Sequence, residues 1–460
     1  MRGERYPKYK PTGIACLPEV PEGWEMRPYK SIYGFGKGLS ITKENLVNDG
    51  VPVVSYGQIH SRGNTGISLT DSLLRFVSPS YLDSDPQCLL HIGDMAVADT
   101  SEDLDGCGNA VVMDRDGPVF AGYHTIISRI RDSRNAPFLA YVFKCIPWRS
   151  QIRLAVHGVK LFSITKQILA ATRFPFPPLP TQRAIVAYLD EKCGKVDRLV
   201  AAKEKEAALL KELKQSMIAE AVTRGVRKTG LTGFTGLGGA KENPVNPVNP
   251  VEEKRRLVPS GIPWLPEVPE GWEVKRLKWI LEEIKVLSTT GEELPLSLTA
   301  ADGLIPFSEK ANRTMESATY VGAKIVRKGQ IVFNRFKARL FAVAPCTGLV
   351  SSDYAVYQVR IEVEKKFLLY LFATPTFRQV MNNQASGIGD GFSRLYSSEL
   401  FKLYVPLPPL AEQRAIVAYI EARAAKIDAA VKGLEREVAA LKEYKQRLIA
   451  DVVTGQRKVV

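Results

Sequence analysis

One repeat with two different periods limits how this chain can fold. The heptapeptide QRAIVAY occurs at 182–188 and again at 413–419, an offset of 413 − 182 = 231, while LPEVPEGWE occurs at 17–25 and 265–273, an offset of 265 − 17 = 248. A simple tandem duplication would keep every segment at one offset. The difference, 248 − 231 = 17 residues, must therefore lie in what separates the repeated pieces. Two blocks fill those gaps, 26–173 and 274–404, and they share little beyond their last stretch, where FSITKQILAATRFPFPPL loosely matches FSRLYSSELFKLYVPLPPL. A chain of 460 residues is also too long for one ordinary core and suggests at least two domains.

Each QRAIVAY copy opens a long segment with a coiled-coil seam. In the second copy Ile427, Val431, Leu434, Val438, Leu441 and Leu448 follow alternating steps of four and three, with Lys445 the one break. At the same offset the first copy gives Val196, Val200, Lys203, Ala207, Leu210, Lys214 and Met217, the same register with weaker packing. Pro180 suits a first helical turn and Glu412 the positive end of the helix dipole. At about 1.5 Å per residue, some 40 residues of helix span roughly 60 Å. If the two helices pair antiparallel, the order of segments closes on itself. The expected architecture is α+β: two globular heads separated by a pair of long antiparallel coiled-coil helices, a pseudo-twofold, cyclically permuted repeat. Between the halves, TGLTGFTGLGGAKENPVNPVNPV (229–251) carries tandem TG(L/F) and NPV tripeptides and reads as a linker.

Charge and cysteines narrow the class. A net charge of +14 points to a polyanionic partner. The six cysteines have no CxxC pair or disulfide-like framework, and no apolar run reaches the length of a membrane span, so a cytoplasmic protein is expected.

The PLPPLAEQRAIVAYI segment (406–420), the opening PSGIPWLPEVPEGWEVKRLK (259–278) and the following coil, present twice with dissimilar blocks between, resemble the specificity subunit of type I restriction-modification systems. The first copy departs from the pattern with Pro180-Thr181 where the second has Ala411-Glu412. The resemblance divides the chain into a first target recognition domain (1–180), a first coiled-coil helix (181–228), the linker (229–258), a second target recognition domain (259–411) and a second helix with the C-terminal tail (412–460). It implies a non-catalytic subunit that binds double-stranded DNA, each recognition domain reading one half of a split target. It further implies two methyltransferase subunits and restriction/translocase subunits as partners. No cofactor is expected on this chain; S-adenosylmethionine belongs to the methyltransferase partner, and ATP and Mg to the nuclease partner. The alternative is a structural coiled-coil adaptor that binds no DNA.

Independently of that resemblance, two dissimilar heads on a spacer suit an asymmetric, split target, whereas identical heads suit a palindrome. Block 26–173 has 16 basic and 13 acidic residues, net +3, and block 274–404 has 18 and 12, net +6, so phosphate contacts should be concentrated in patches. In VFNRFKARLFAV (332–343), a strand would put Arg335, Lys337 and Arg339 on one face, next to Asn334. Glycine-containing turns before each closing segment, VHGVKLFS (156–163) and SGIGDGFSRL (386–395), add Lys160, Ser393 and Arg394 as candidate DNA contacts. In YGQIHSRGNTG (56–66), Gln58, His60, Arg62 and Asn64 are residue types that reach base edges or phosphates.

Catalytic signals are weak. No [DNS]-P-P-[YFW] sequence exists for amino-methylation, and YGFGKG (33–38) lacks both the K-[ST] of a P-loop and the GxGxxG spacing. Asp99, Glu102, Asp103 and Asp105 read as a solvated acidic loop without EF-hand spacing. His60, His91, His124 and His157 form no metal-ligand spacing with the cysteines.

Overall fold

A computed structural model describes residues 4–158, 160–226, 256–300, 302–310, 319–336, 340–386 and 393–459. The chain divides into two compact units: residues 1–205 with 434–460, and residues 206–433. The linker with its TG(L/F) and NPV tripeptides lies outside the described residues.

The first unit is built on an antiparallel sheet of β1 (Tyr33–Lys37), β2 (Met95–Ala98), β3 (Ala110–Val112) and β4 (Thr125–Ile130), in the order β3-β2-β4-β1. The run Met95-Ala96-Val97-Ala98 is buried throughout because the sheet is covered on both faces. Alternation sends Met95 and Val97 into a core with Phe138, Phe143, Trp148 and Phe174, and Ala96 and Ala98 into a second core with Ile59, Leu73 and Val111. Helix α1 (Leu179–Arg224) leaves this unit.

The second unit repeats the frame. Strands β5 (Leu281–Ile284), β6 (Ile331–Asn334), β7 (Phe341–Val343) and β8 (Tyr354–Val359) form an antiparallel sheet in the order β5-β8-β6-β7. This order maps strand for strand onto the first sheet. In each unit the sheet is followed by two short helices meeting at a proline, Ala136–Lys144 with Ile146–Arg153 and Lys365–Ala373 with Pro375–Asn383. Blocks with little common sequence thus share one backbone plan. Helix α2 (Leu410–Val453) leaves the second unit.

The repeated sequences are the parts that close each unit. LPEVP is the second strand of a hairpin, Tyr9–Ile14 with Leu17–Pro21 and Leu257–Ile262 with Leu265–Pro269, and the following Trp24 and Trp272 are buried. The next segment pairs with the strand before the long helix: Glu25–Pro28 with Arg173–Phe176, and Glu273–Arg276 with Tyr404–Leu407. In QRAIVAY the glutamine is buried and its amide donates to a proline carbonyl five residues back, Gln182 to Pro177 at 2.9 Å and Gln413 to Pro408 at 2.7 Å. Ile185 and Ile416 are wholly buried, while Arg183 and Arg414 are exposed. The heptapeptide is repeated because it makes the same turn-to-helix joint twice.

Each unit is completed by the end of the other unit's helix. In the first, Leu448, Ile449, Val452 and Val453 of α2 share a core with Ile185, Leu189 and Cys193 of α1. In the second, Ile218, Ala221 and Val222 of α1 join Ile416, Val417 and Ile420 of α2. Both helices stop on a left-handed glycine, Gly225 (φ +77°) and Gly455 (φ +72°), the backbone that ends a helix without a Cβ penalty. The six cysteines are free thiols.

The helices pair antiparallel within each unit. Of the predicted seam, Val196, Val200, Ala207, Val431 and Leu448 are buried, and Leu210, Met217, Ile427, Leu434, Val438 and Leu441 are partly buried. The lysines that interrupt the apolar pattern are each met by an acid across the seam: Lys203 by Glu437, Lys445 by Asp197 at 2.7 Å, and in the second unit Lys214 by Asp428 at 2.6 Å. Polar groups at seam positions fix register, since a slipped pairing leaves them without partners.

Candidate nucleic-acid interface

The two sheets can be superposed by register alone. Thr125 pairs with Ala98 in the first unit and Tyr354 with Asn334 in the second, so the residue after the strand is Asp99 in one and Arg335 in the other. Facing them, just before the neighbouring strand, stand His124 and Asp353. The closing loops reach the same point: Ile164 N–H donates to the Asp99 carbonyl at 2.7 Å and Leu395 N–H to the Arg335 carbonyl at 3.0 Å. Each unit therefore brings three distant segments to one edge of its central sheet.

In the second unit this edge gathers Asn334, Arg335, Ser393 and Arg394. The expected strand through 332–343 does not form. Asn334 ends β6, its Oδ1 accepting from Phe336 N–H at 2.9 Å, and its own N–H donates to the Leu340 carbonyl at 2.9 Å, so the stretch is a hairpin whose far strand is β7. Asparagine side chains open such turns by bonding the backbone two residues on. Alternation in VFNRFKARLF was thus a misleading signal, the two phenylalanines Phe333 and Phe341 stacking across the hairpin at 4.2 Å. Lys337 and Arg339 lie outside the described residues. Arg335 is mostly buried and ion-paired with Glu283. Arg394 is more open, its guanidinium 4.8 Å from the Phe336 ring centroid and 3.5 Å from Asp353. Behind them Lys324 donates to the Tyr354 carbonyl at 2.5 Å, and burial, then the Arg335 charge, lower its pKa.

The YGQIHSRGNTG residues of the first unit serve mainly its own backbone. Gln58 Oε1 accepts from Ser55 N–H at 3.2 Å, and Asn64 Nδ2 donates to the Ile59 and Ala110 carbonyls. The His60 ring is held at both nitrogens, by the Thr100 carbonyl at 2.8 Å and Asn109 at 3.0 Å. Arg62 and Lys160 are exposed. The acids of the DTSEDLDG loop are individually engaged: Asp99 with His124 at 3.2 Å, Glu102 with the Tyr56 hydroxyl, Asp103 with Gly106 N–H and Asp105 with Arg153. Among the described residues no group of three or more His, Cys, Asp or Glu is placed to hold a metal ion. Nor is any described helix long and apolar enough to cross a membrane.

Sequence reasoning passed over the cleft at this edge of the first unit, of about 600 Å³, lined by Lys37, Ser40, Asp99, His124, Ser163 and Lys166. Its floor is the YGFGKG strand, where a Cβ on Gly38 would lie 2.1 Å from the Gly122 carbonyl oxygen. Those glycines admit a close backbone crossing. Asp99 and His124 are 25 residues apart, and only strand register brings them together.

The chain matches the family model for the type I restriction modification DNA specificity domain twice, over residues 21–210 and 269–438. It is 22% identical over 461 residues to the putative type I restriction enzyme MjaX specificity subunit of Methanocaldococcus jannaschii, covering 98% of this chain and 97% of that one. The type I restriction enzyme EcoKI specificity subunit of Escherichia coli is 21% identical over 459 residues, covering 95% and 90%. A solved chain from work on complex assembly and conformational transition of the type I R-M system has the same fold, with a TM-score of 0.63 at 18% identity over 96% of this chain and 99% of that one. With the specificity domain matched twice over most of its length, the chain belongs to the type I restriction-modification DNA specificity family, as a specificity subunit with two such domains.

Proposed function

We propose that each unit reads one half of a split, asymmetric DNA target through the sheet edge where its closing loop arrives. One observation carries this reading: the two units share a strand frame yet set Asp99 and His124 at the place where the other sets Arg335 and Asp353. One plan with different groups at its edge is what two unlike half-sites require. In this reading the paired helices set the number of base pairs between the halves and dock two methyltransferase subunits, which hold S-adenosylmethionine and carry out methyl transfer. Translocation and cleavage, with ATP and Mg, belong to restriction subunits.

The test is a block exchange. Replacing residues 274–404 by the corresponding block of a relative, in a complex with the methyltransferase subunits, should change one half of the methylated sequence and leave the other intact. A change in both halves, or in neither, overturns the reading. On a finer scale, Arg394→Ala should weaken DNA binding about tenfold and lower the slope of log affinity against log salt by about one. An unaltered slope in a salt titration removes Arg394 from the interface.

A further inference from the structure

The Asp99–His124 pair has the features of a reading group. His124 is the one non-glycine residue with a positive φ among those described, at +53°. Histidine enters this region more readily than most residues, but the conformation still stores strain and persists where the surroundings impose it. Here the surroundings are the Gly38–Gly122 crossing beneath the loop and the Asp99 N–H, which donates to the His124 carbonyl at 3.1 Å. The result holds a mostly exposed imidazole at the mouth of the cleft, with Nδ1 3.2 Å from Asp99 Oδ1. The same Oδ1 accepts from the Thr100 hydroxyl at 2.5 Å. Asp99 Oδ2 and His124 Nε2 receive no hydrogen bond from the described residues.

In the tautomer whose Nδ1–H donates to Asp99, the ring offers Nε2 as an acceptor, beside the carboxylate oxygen Oδ2. The pair then presents acceptors only, flanked in the cleft by Lys37 and Lys166, whose ammonium groups suit the phosphates on either side. In the major groove the complementary donors are exocyclic amino groups, N6 of adenine and N4 of cytosine. At the corresponding edge of the second unit, Arg394 presents donors instead.

Resting on the reading that each unit recognises one half-site, we propose that Asp99 and His124 determine specificity in the first unit by accepting a hydrogen bond from the exocyclic amino group of one base. The test uses the full chain assembled with its methyltransferase subunits, a randomised target library, and sequencing of the modified bases. Asp99→Asn, which turns part of the acceptor into a donor, should lower discrimination at one base pair of the first unit's half-site by about tenfold or more and leave the other half unchanged. His124→Gly should do the same; glycine is at home at this φ, so the loop keeps its path.

A second arm uses the parent complex and targets in which single bases, the methyl-accepting one excepted, lack their amino group, purine replacing adenine or pyrimidin-2-one replacing cytosine. Methylation should fall at one position in the first half-site, and Asp99→Asn should be insensitive to that replacement. The analogue that acts identifies adenine or cytosine as the base read. Unchanged discrimination throughout that half with both variants, an effect in the other half, or no sensitive position in the parent complex each overturns the proposal. Failure of the block exchange to move any half-site removes the underlying reading instead, so the two failures are distinguishable.

Discussion

Ile416→Asp should unfold the core of the second unit. Ile416 is the central apolar residue of the second QRAIVAY copy, wholly buried in one cluster with Trp272, Phe367, Ile420 and, from the other helix, Ile218 and Val222. Removing a buried isoleucine side chain costs about 2–5 kcal/mol, and placing a carboxyl group there without a partner adds several more. A domain holds only about 5–15 kcal/mol in all, so the substitution takes most or all of it. The helix joint, the hairpin carrying LPEVPEGWE and the end of α1 meet in this core, and all three should be lost together. Urea unfolding followed by circular dichroism measures this, with Arg414→Asp two residues away as the contrast. Arg414 is 63% exposed and should move the midpoint little. Equal effects for the two variants would show that the repeated segment does not form the joint.

Asp94→Ala should destabilise the first unit by about 3–5 kcal/mol, the usual effect of breaking one side of a buried ion pair. Its carboxylate is 3% exposed and accepts from Arg129 at 2.5 Å, from His91 N–H at 2.9 Å and from Ile130 N–H at 3.0 Å. Deleting it leaves the His91 and Ile130 N–H groups unsatisfied and takes the counter-charge from a half-buried guanidinium that keeps only its bonds to neutral groups, the Leu89 and Gln87 carbonyls and the His91 ring. The second unit shows what can stand there instead. Gln330 occupies the matching position, accepts from Arg327 N–H at 2.8 Å and donates to Gln358, which stands where the first unit has Arg129. Asp94→Gln combined with Arg129→Gln should therefore recover a large part of the loss, because removing both charges removes the desolvation cost with them. A double variant as unstable as Asp94→Ala in thermal or urea unfolding would show that the ion pair itself, and not satisfaction of the turn, holds this edge.

The turn containing Asp94 shows how far the sequence could be read. HIGD (91–94) and RKGQ (327–330) make one turn, with left-handed Gly93 (φ +91°) and Gly329 (φ +83°) and a side-chain acceptor closing back on the N–H three residues earlier. Neither stretch resembles the other strongly enough to be aligned without the strands. The helices and their seam were legible because a heptad pattern repeats over many residues and QRAIVAY marks where each begins. The reading edge was not. Arg335 and Arg394 stood out as cations, but the ion pair of Arg335 with Glu283, 52 residues away, is invisible to local pattern. Asn64 and His60, residue types that reach DNA, are bound to Ala110 and Asn109, on segments 46 and 49 residues away that no local pattern places nearby.

From the sequence alone came the two offsets, and with them a repeated scaffold, α+β heads and paired helices, because apolar periodicity and an identical heptapeptide are properties of contiguous residues. Tertiary structure alone decided that the dissimilar blocks are one fold, and which side chains face each other at its edge. Strands pair through backbone hydrogen bonds, which carry no record of side-chain identity. The same ladder can thus place Asp99 beside His124 in one unit and Arg335 opposite Asp353 in the other, and register, not sequence distance, selects the pair.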